Sequence, residues 1–257
     1  IIPLYALYAC HFKEGNMFFT SVLLISIAFV SANTSDRDEY TNKYIDEVLS
    51  IHLPKAVEDA EIDGYHILPN IATSLPHDLT EDGLPIRSKT VSFHSGKIEG
   101  FSSAHRKSCE RLPTSTDNIK VICNIVLPRV AARYRGRYEV LIGHPFSQGY
   151  RVRRRDFEAE TIARDIEARI EIKAFDEDGK PSLTDLVLIG KGEVETNFKY
   201  DDANKKERLN RLDDVPFEKL RGFLYQKNSQ IFQKVFKGIY RYALEDAVSS
   251  IVYPEHD

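Results

Sequence analysis

From Val130 to Ile142 every second residue is apolar or glycine (Val130, Ala132, Tyr134, Gly136, Tyr138, Val140, Ile142), while Arg129, Arg133, Arg135, Arg137 and Glu139 occupy the alternate phase. Alternation at period two sends successive side chains to opposite faces of a strand. One apolar face and one wet face is the pattern of an antiparallel sheet covered on a single side. The same alternation precedes this run in Ile119, Val121, Cys123, Ile125 and Leu127. It returns in Ile166, Ala168, Ile170, Ile172 and Ala174 against Asp165, Glu167, Arg169, Glu171 and Lys173. Strand signals begin at Thr90 and include Ile98 between Gly96 and Gly100. Tyr150 and Val152 open a strand whose phase slips near Asp156, which predicts a bulge before Phe157, Ala159 and Thr161. Asp178-Gly179 marks a hairpin that returns through Leu183 to Ile189, and Val194, Thr196, Phe198 and Tyr200 close a series of about six long strands.

Long strands with one apolar face need a large apolar object against that face. The C-terminal stretch supplies it. Between Phe217 and Val252, Leu220, Leu224, Ile231, Phe232, Val235, Phe236, Ile239, Ala243, Ala247 and Ile251 recur every three or four residues, the period of a buried helix face. Lys234, Lys237, Arg241 and Glu245 leave only a narrow polar strip. Asn228 and Ser229 favour caps and turns, and predict a break into a short helix followed by a long one. A second amphipathic helix covers Tyr40 to Ala60, with Pro54 expected to kink it. Ile62 to Pro85 reads as an irregular connection with a turn of helix near Ile71. The expected fold is therefore α+β: a strongly curved antiparallel sheet, or half-barrel, wrapped around a long C-terminal helix, with an N-terminal amphipathic helix.

The 257 residues are 42% apolar and 29% charged, the balance of a globular chain able to bury a sizeable core. The sole methionine, Met17, precedes an apolar run to Val30 and then Ser31-Ala32, the h-region and small-residue site of a secretory signal peptide. That run is too short to span a bilayer, which needs about 20 residues. Residues 1–16 then read as leader, 17–32 as signal peptide and 33–257 as a single domain of a secreted, extracellular protein. Removal of the leader takes Cys10 with it and leaves Cys109 and Cys123, whose pairing as a disulfide is expected in an oxidising compartment. Asn33-Thr34-Ser35 is a glycosylation sequon at the expected mature terminus.

Catalytic chemistry finds little footing. The eight histidines include no His-x-x-x-His pair and no Cys-x-x-Cys accompanies them, so no metal or other cofactor is expected. Gly143 to Gly149 holds a Ser near a His without the Gly-x-Ser-x-Gly elbow, and Gly190-Lys191-Gly192 lacks the following helix of a phosphate cradle. Arg151, Arg153, Arg154 and Arg155, near Arg133, Arg135 and Arg137, form the sharpest charge cluster. Its arginines either pair with Glu139, Glu158, Glu160 and Glu171 on neighbouring strands or offer peripheral contact to an anionic membrane or glycan. A net charge of −4 in a secreted chain argues against nucleic acid. The 13 tyrosines and 14 phenylalanines, in a chain without tryptophan, fall largely on inward phases. That placement suits a filled core and an apolar tunnel equally.

The signal peptide, the acidic helix at Tyr40 to Ala60, the Gly-x-x-x-Gly-Phe strand at Gly96 to Phe101, the long strands from Asp117 to Tyr200 and the closing helix at Ser229 to Val252 resemble the mite group 7 allergens. Those secreted arthropod proteins are related to the takeout and juvenile-hormone-binding proteins within the tubular lipid-binding superfamily. The resemblance spans the whole mature chain and implies a half-barrel around a long helix, which binds a lipid or other hydrophobic ligand without catalysis. Residues on the apolar phases of sheet and helix that would wall such a site are Tyr134, Tyr138, Val140, Ile170, Ile172, Phe232, Phe236 and Ile239. The competing expectation is an extracellular interaction protein with a solid core and an arginine-rich face for anionic glycans or membranes.

Overall fold

Two strands of exceptional length carry the sheet. The computed structural model describes residues 38–76, 80–81, 84–113, 119–143, 149–174, 180–200 and 215–253. The expected leader and signal segment, the sequon at Asn33 and the turn expected at Asp178-Gly179 lie outside the described residues. The strands are β1 (Ile67–Leu68), β2 (Ile71–Leu75), β3 (Thr80–Glu81), β4 (Leu84–Glu99), β5 (His105–Pro113), β6 (Ile119–Gly143), β7 (Tyr150–Lys173), β8 (Ser182–Gly190) and β9 (Glu193–Tyr200). They form one antiparallel sheet in the order β1-β4-β6-β7-β8, with β2 and β3 also on β4, β5 on β6 and β9 on β7. The sheet is open, and its apolar face packs on a C-terminal helical segment from Phe217 to Ser249. The α+β half-barrel expected from the alternation is the fold observed.

The two runs at 119–127 and 130–142 are a single strand, as are 150–161 and 166–174. β6 and β7 pair from Lys120–Lys173 to Gly143–Tyr150. No bulge interrupts them near Asp156, contrary to the phase reading. Arg151, Arg153 and Arg155 share the pleat phase of Phe157 and Ala159, so the apolar phase simply runs out into arginine at the sheet's end. The true change of phase lies elsewhere. In β6 the inward positions switch from Val121, Cys123, Ile125 and Leu127 to Val130, Ala132, Tyr134 and Tyr138. In β7 they switch from Phe157, Ala159 and Thr161 to Ile166, Ala168, Ile170 and Ile172. Because Leu127 faces Ile166 and Arg129 faces Arg164 in the same register, both strands turn over together.

The outer strands break at the same level. β4 gives way to β5 at Gly100, and β8 to β9 at Gly192, both with positive φ (105° and 65°). A Cβ at Gly100 would overlap the Arg129 carbonyl oxygen, and one at Gly192 the Arg164 carbonyl oxygen. Only glycine allows that approach and that conformation together. A seam therefore crosses the sheet from Gly100 through Arg129 and Arg164 to Gly192 and divides it into two halves. The Asp63 carboxylate reinforces it, accepting the backbone N–H groups of Phe101 and Ser102 at 2.9 Å each.

The helices bend in step with the sheet. Asn228 and Ser229 do not break the C-terminal helix, which runs unbroken from Phe217 to Val235. Its irregularity is a π-turn at Phe236–Tyr240, where Gly238 leaves helical geometry. Asn228 stays in the helix because its side chain is buried and hydrogen-bonded, so the backbone need not supply a partner. In the N-terminal helix, residues 38–59, a π-turn at Val48–His52 precedes Pro54, so the expected kink appears as a widened turn that relieves the proline clash. The connection after Ile62 contains β1 and β2 rather than a helical turn at Ile71, because Ile71–Leu75 find partners in Lys89–Phe93 of β4. Likewise β4 begins at Leu84, ahead of Thr90.

The second half of the C-terminal helix is locked to the N-terminal helix. The hydroxyls of Thr41 and Tyr253 are 2.6 Å apart, the Tyr44 hydroxyl donates to the Val248 carbonyl at 2.8 Å, and Ser250 meets His52 at 2.7 Å. The first half, Phe217–Val235, lies over β7 and β9. On the sheet edge Cys109 of β5 and Cys123 of β6 face each other in register and form the expected disulfide.

Candidate ligand-binding site

Where a strand turns over, successive side chains leave the inner face. At the seam Pro128 and Arg129 of β6, and Arg164 and Asp165 of β7, all fall outside the buried inner row. The inner face there is left with Val130, Ala132 and Ala163, which are too small to fill the space beneath the helix. A cavity of about 60 Å³ results, with Ile98, Leu188 and Val194 from the broken strand ends, Ile166 from β7 and Phe232 from the helix completing its apolar wall. Beside it an open groove of about 510 Å³ runs between β9 and the helix, lined by Thr196, Glu218 and Arg221. Val194 and Tyr225 line both spaces, so Tyr225, 43% exposed, stands where groove meets cavity.

The aromatic side chains pack on one another to either side. In the half of the sheet beyond Val130, Phe93 meets Tyr134 and Phe157 edge-on, and Phe217 stacks on Phe198. At the seam Phe101 stacks on Phe232 and Phe232 on Phe236, while Tyr240 closes against Phe101 and Phe236. Burial holds the Tyr134 phenol up at about 12 and raises that of Tyr240, with the Asp63 charge as a second cause. Neither hydroxyl has a hydrogen-bond partner among the described residues.

Of the eight side chains expected to wall a site, Phe232 lines this cavity. Phe236 and Ile239 follow it along the helix, Phe236 fully buried and Ile239 partly so. Tyr134, Tyr138 and Val140 are buried on β6 beyond the seam, and Ile170 and Ile172 on β7 in the other half. The inward phase was read correctly for all eight, but the structure does not bring them together around one space.

Three polar residues of the inner layer were not among the expected site residues. Asn228, Thr161 and Thr196 are each less than 8% exposed within an otherwise apolar layer. The Asn228 amide nitrogen donates to Thr161 Oγ1 at 2.8 Å, and Thr161 and Thr196 share a hydroxyl bond of 3.1 Å. Their signal was a threonine on the inward phase of two strands and an asparagine on the buried helix face.

The wet face of the sheet is electrically balanced. Arg129 and Arg133 bridge to Glu99 and Glu160, Arg137 to Asp156, and Arg154 to Glu139. Four arginines thus meet four carboxylates. Arg155 lies over the Tyr200 ring, 5.7 Å from its centroid. Among the described residues no cluster of His, Cys, Asp and Glu is placed to hold a metal ion, and no helix is long and apolar enough to cross a membrane.

No family model matches the sequence. No curated protein matches it either. Among solved structures the chain is similar to Epiphyas postvittana Takeout 1, with a TM-score of 0.37 and 10% identity over 80% of this chain and 91% of that one. It is also similar to a lipopolysaccharide binding protein, with a TM-score of 0.34 and 13% identity over 82% of this chain but only 40% of that one. At these scores neither likeness assigns the chain to a family.

Proposed function

We propose that this chain is a secreted, non-catalytic binding protein of the mite group 7 allergen type, which carries or senses a lipid or other hydrophobic ligand between sheet and helix. The observation that carries the proposal is the apolar cavity at the seam, roofed by the half of the C-terminal helix that the N-terminal helix does not hold. The resting cavity, about 60 Å³, is well below the roughly 300 Å³ of the smallest ordinary ligand pockets. Binding therefore requires the segment Phe217–Val235 to lift from β7 and β9. Gly238 is suited to act as its hinge, because it already departs from helical geometry and a Cβ there would meet nothing. A ligand entering past Tyr225 would reach Phe232 first and then Phe236 and Ile239, while Tyr134, Tyr138 and Val140 would bound the widened space. Secretion rests on the segment 17–32, and terminal sequencing of exported protein should begin at or near Asn33.

The test is titration of delipidated, folded protein with a fluorescent fatty-acid probe. Binding should carry a negative heat-capacity change, the marker of apolar burial. Ala163→Phe, which fills the cavity from β7, should abolish probe binding while the variant still unfolds cooperatively. Absence of binding to the folded wild type would reject the proposal.

A further inference from the structure

We propose that Asn228, Thr161 and Thr196 form a head-group subsite that selects apolar ligands ending in an uncharged hydroxyl. The inference rests on the apolar-ligand reading above and adds the polar chemistry of the ligand. Asn228 is 6% exposed and lines the cavity, and Thr161 lines it beside Asn228. One end of the Asn228 amide is engaged, its nitrogen donating to Thr161. The other end, Oδ1, is buried with no partner among the described residues. A buried acceptor without a donor is destabilising, so a ligand able to donate there recovers that loss on binding.

The threonine pair supplies the complementary group. Each hydroxyl carries one proton, and their shared bond uses one of the two. Whichever threonine donates, one hydroxyl proton has no acceptor inside the triad. The subsite therefore presents an acceptor at Asn228 Oδ1 and one hydroxyl proton on the threonine pair, and a ligand hydroxyl, unlike an ether, can both donate and accept there. An ether oxygen can accept but cannot donate to Oδ1.

Charge decides against an anionic head in this position. All three side chains are neutral, and the cation in the cavity lining, Lys191, is exposed on the turn between β8 and β9. A carboxylate pushed to Asn228 would lose its water without gaining a counter-charge, a far larger loss than burying a neutral hydroxyl. An acid would be expected to hold its head at Lys191, outside the triad.

The experiment displaces a naphthylamine fluorophore from the folded, delipidated protein with myristyl alcohol, its methyl ether and myristate at neutral pH. The wild type should prefer the alcohol over the ether and over myristate by about tenfold, the equivalent of 1.4 kcal/mol. Asn228→Leu should reduce the alcohol-to-ether ratio to within about twofold. Thr161→Val should do the same if the leucine variant does not fold. Equal wild-type binding of alcohol and ether would overturn the inference, as would a preference that survives both variants. So would best binding of myristate that depends on Lys191 and ignores Asn228, and each of these results would leave the apolar-ligand reading in place. Failure of the fluorophore itself to bind folded protein would remove that reading, and this inference with it.

Discussion

Gly100 lies against the carbonyl of Arg129 so closely that it cannot carry a side chain, and it holds φ at 105°. Overlap and conformation act together, so Gly100→Ala should destabilise by about 2–4 kcal/mol, more than strain alone at such a position. Gly222 provides the control, being exposed in the helix with nothing within reach of a Cβ. Gly222→Ala should stabilise by about 0.5–1 kcal/mol through helix propensity. Urea unfolding of both variants checks the contrast, and a neutral Gly100→Ala would contradict the close approach at the seam.

The Cys109–Cys123 bond closes a 15-residue loop and ties edge strand β5 to β6. Loop closure of that length constrains the unfolded chain by about 3 kcal/mol. Replacing both cysteines with alanine should lower stability by about that amount, plus a smaller packing loss at fully buried Cys123. Thiol labelling of the unfolded, unreduced protein should detect no free thiol at either position.

Alkaline pH should destabilise the protein through its buried phenols. Burial raises Tyr134 from an ordinary value near 10 to about 12, and also raises Tyr44 and Tyr240. Above pH 10 the unfolded chain loses protons that the native state retains, so stability falls as pH rises toward 12. Below pH 10 this contribution is complete. Absorbance of ionised tyrosine should rise in a late step that coincides with loss of near-ultraviolet dichroism. Complete, reversible ionisation of all tyrosines with the fold intact would contradict the burial.

The balanced outer face should bind polyanions weakly. Arg129 and Arg133 are both about half exposed, and replacing the pair with alanine should cost no more than about 1 kcal/mol. Such a variant should keep its apolar-ligand affinity within a few-fold. Heparin chromatography at physiological ionic strength should show no retention of the wild type. Strong retention that disappears on replacing Arg137 and Arg154 would favour the interaction-protein alternative.

The fold was legible in the sequence because two-sided polarity at period two is written in every strand residue. Tyr134, Val140, Ile170 and Ile172 face inward as their phase requires. The seam was hidden because a phase change looks the same whether a strand ends or turns over, and only the register across β6 and β7 distinguishes the two. Asn228 was misread for a related reason. Its preference for caps is a local tendency, and a partner 67 residues away in Thr161 overrode it. Candidate ligand contacts were the least legible part, since inward direction is a property of single residues and empty space is a property of how neighbours fill.

The uninterrupted ladder between β6 and β7 makes the chain intolerant of changes in length. Deleting one residue above Pro128 would either slip the pairing by a step or send Tyr134, Tyr138 and Val140 to water while the arginines between them turned inward. A second deletion on the facing part of β7 would realign the hydrogen bonds, yet each strand's inward row would still be out of phase. Two residues would have to be lost from each strand, in facing positions, for both ladder and pleat to be restored.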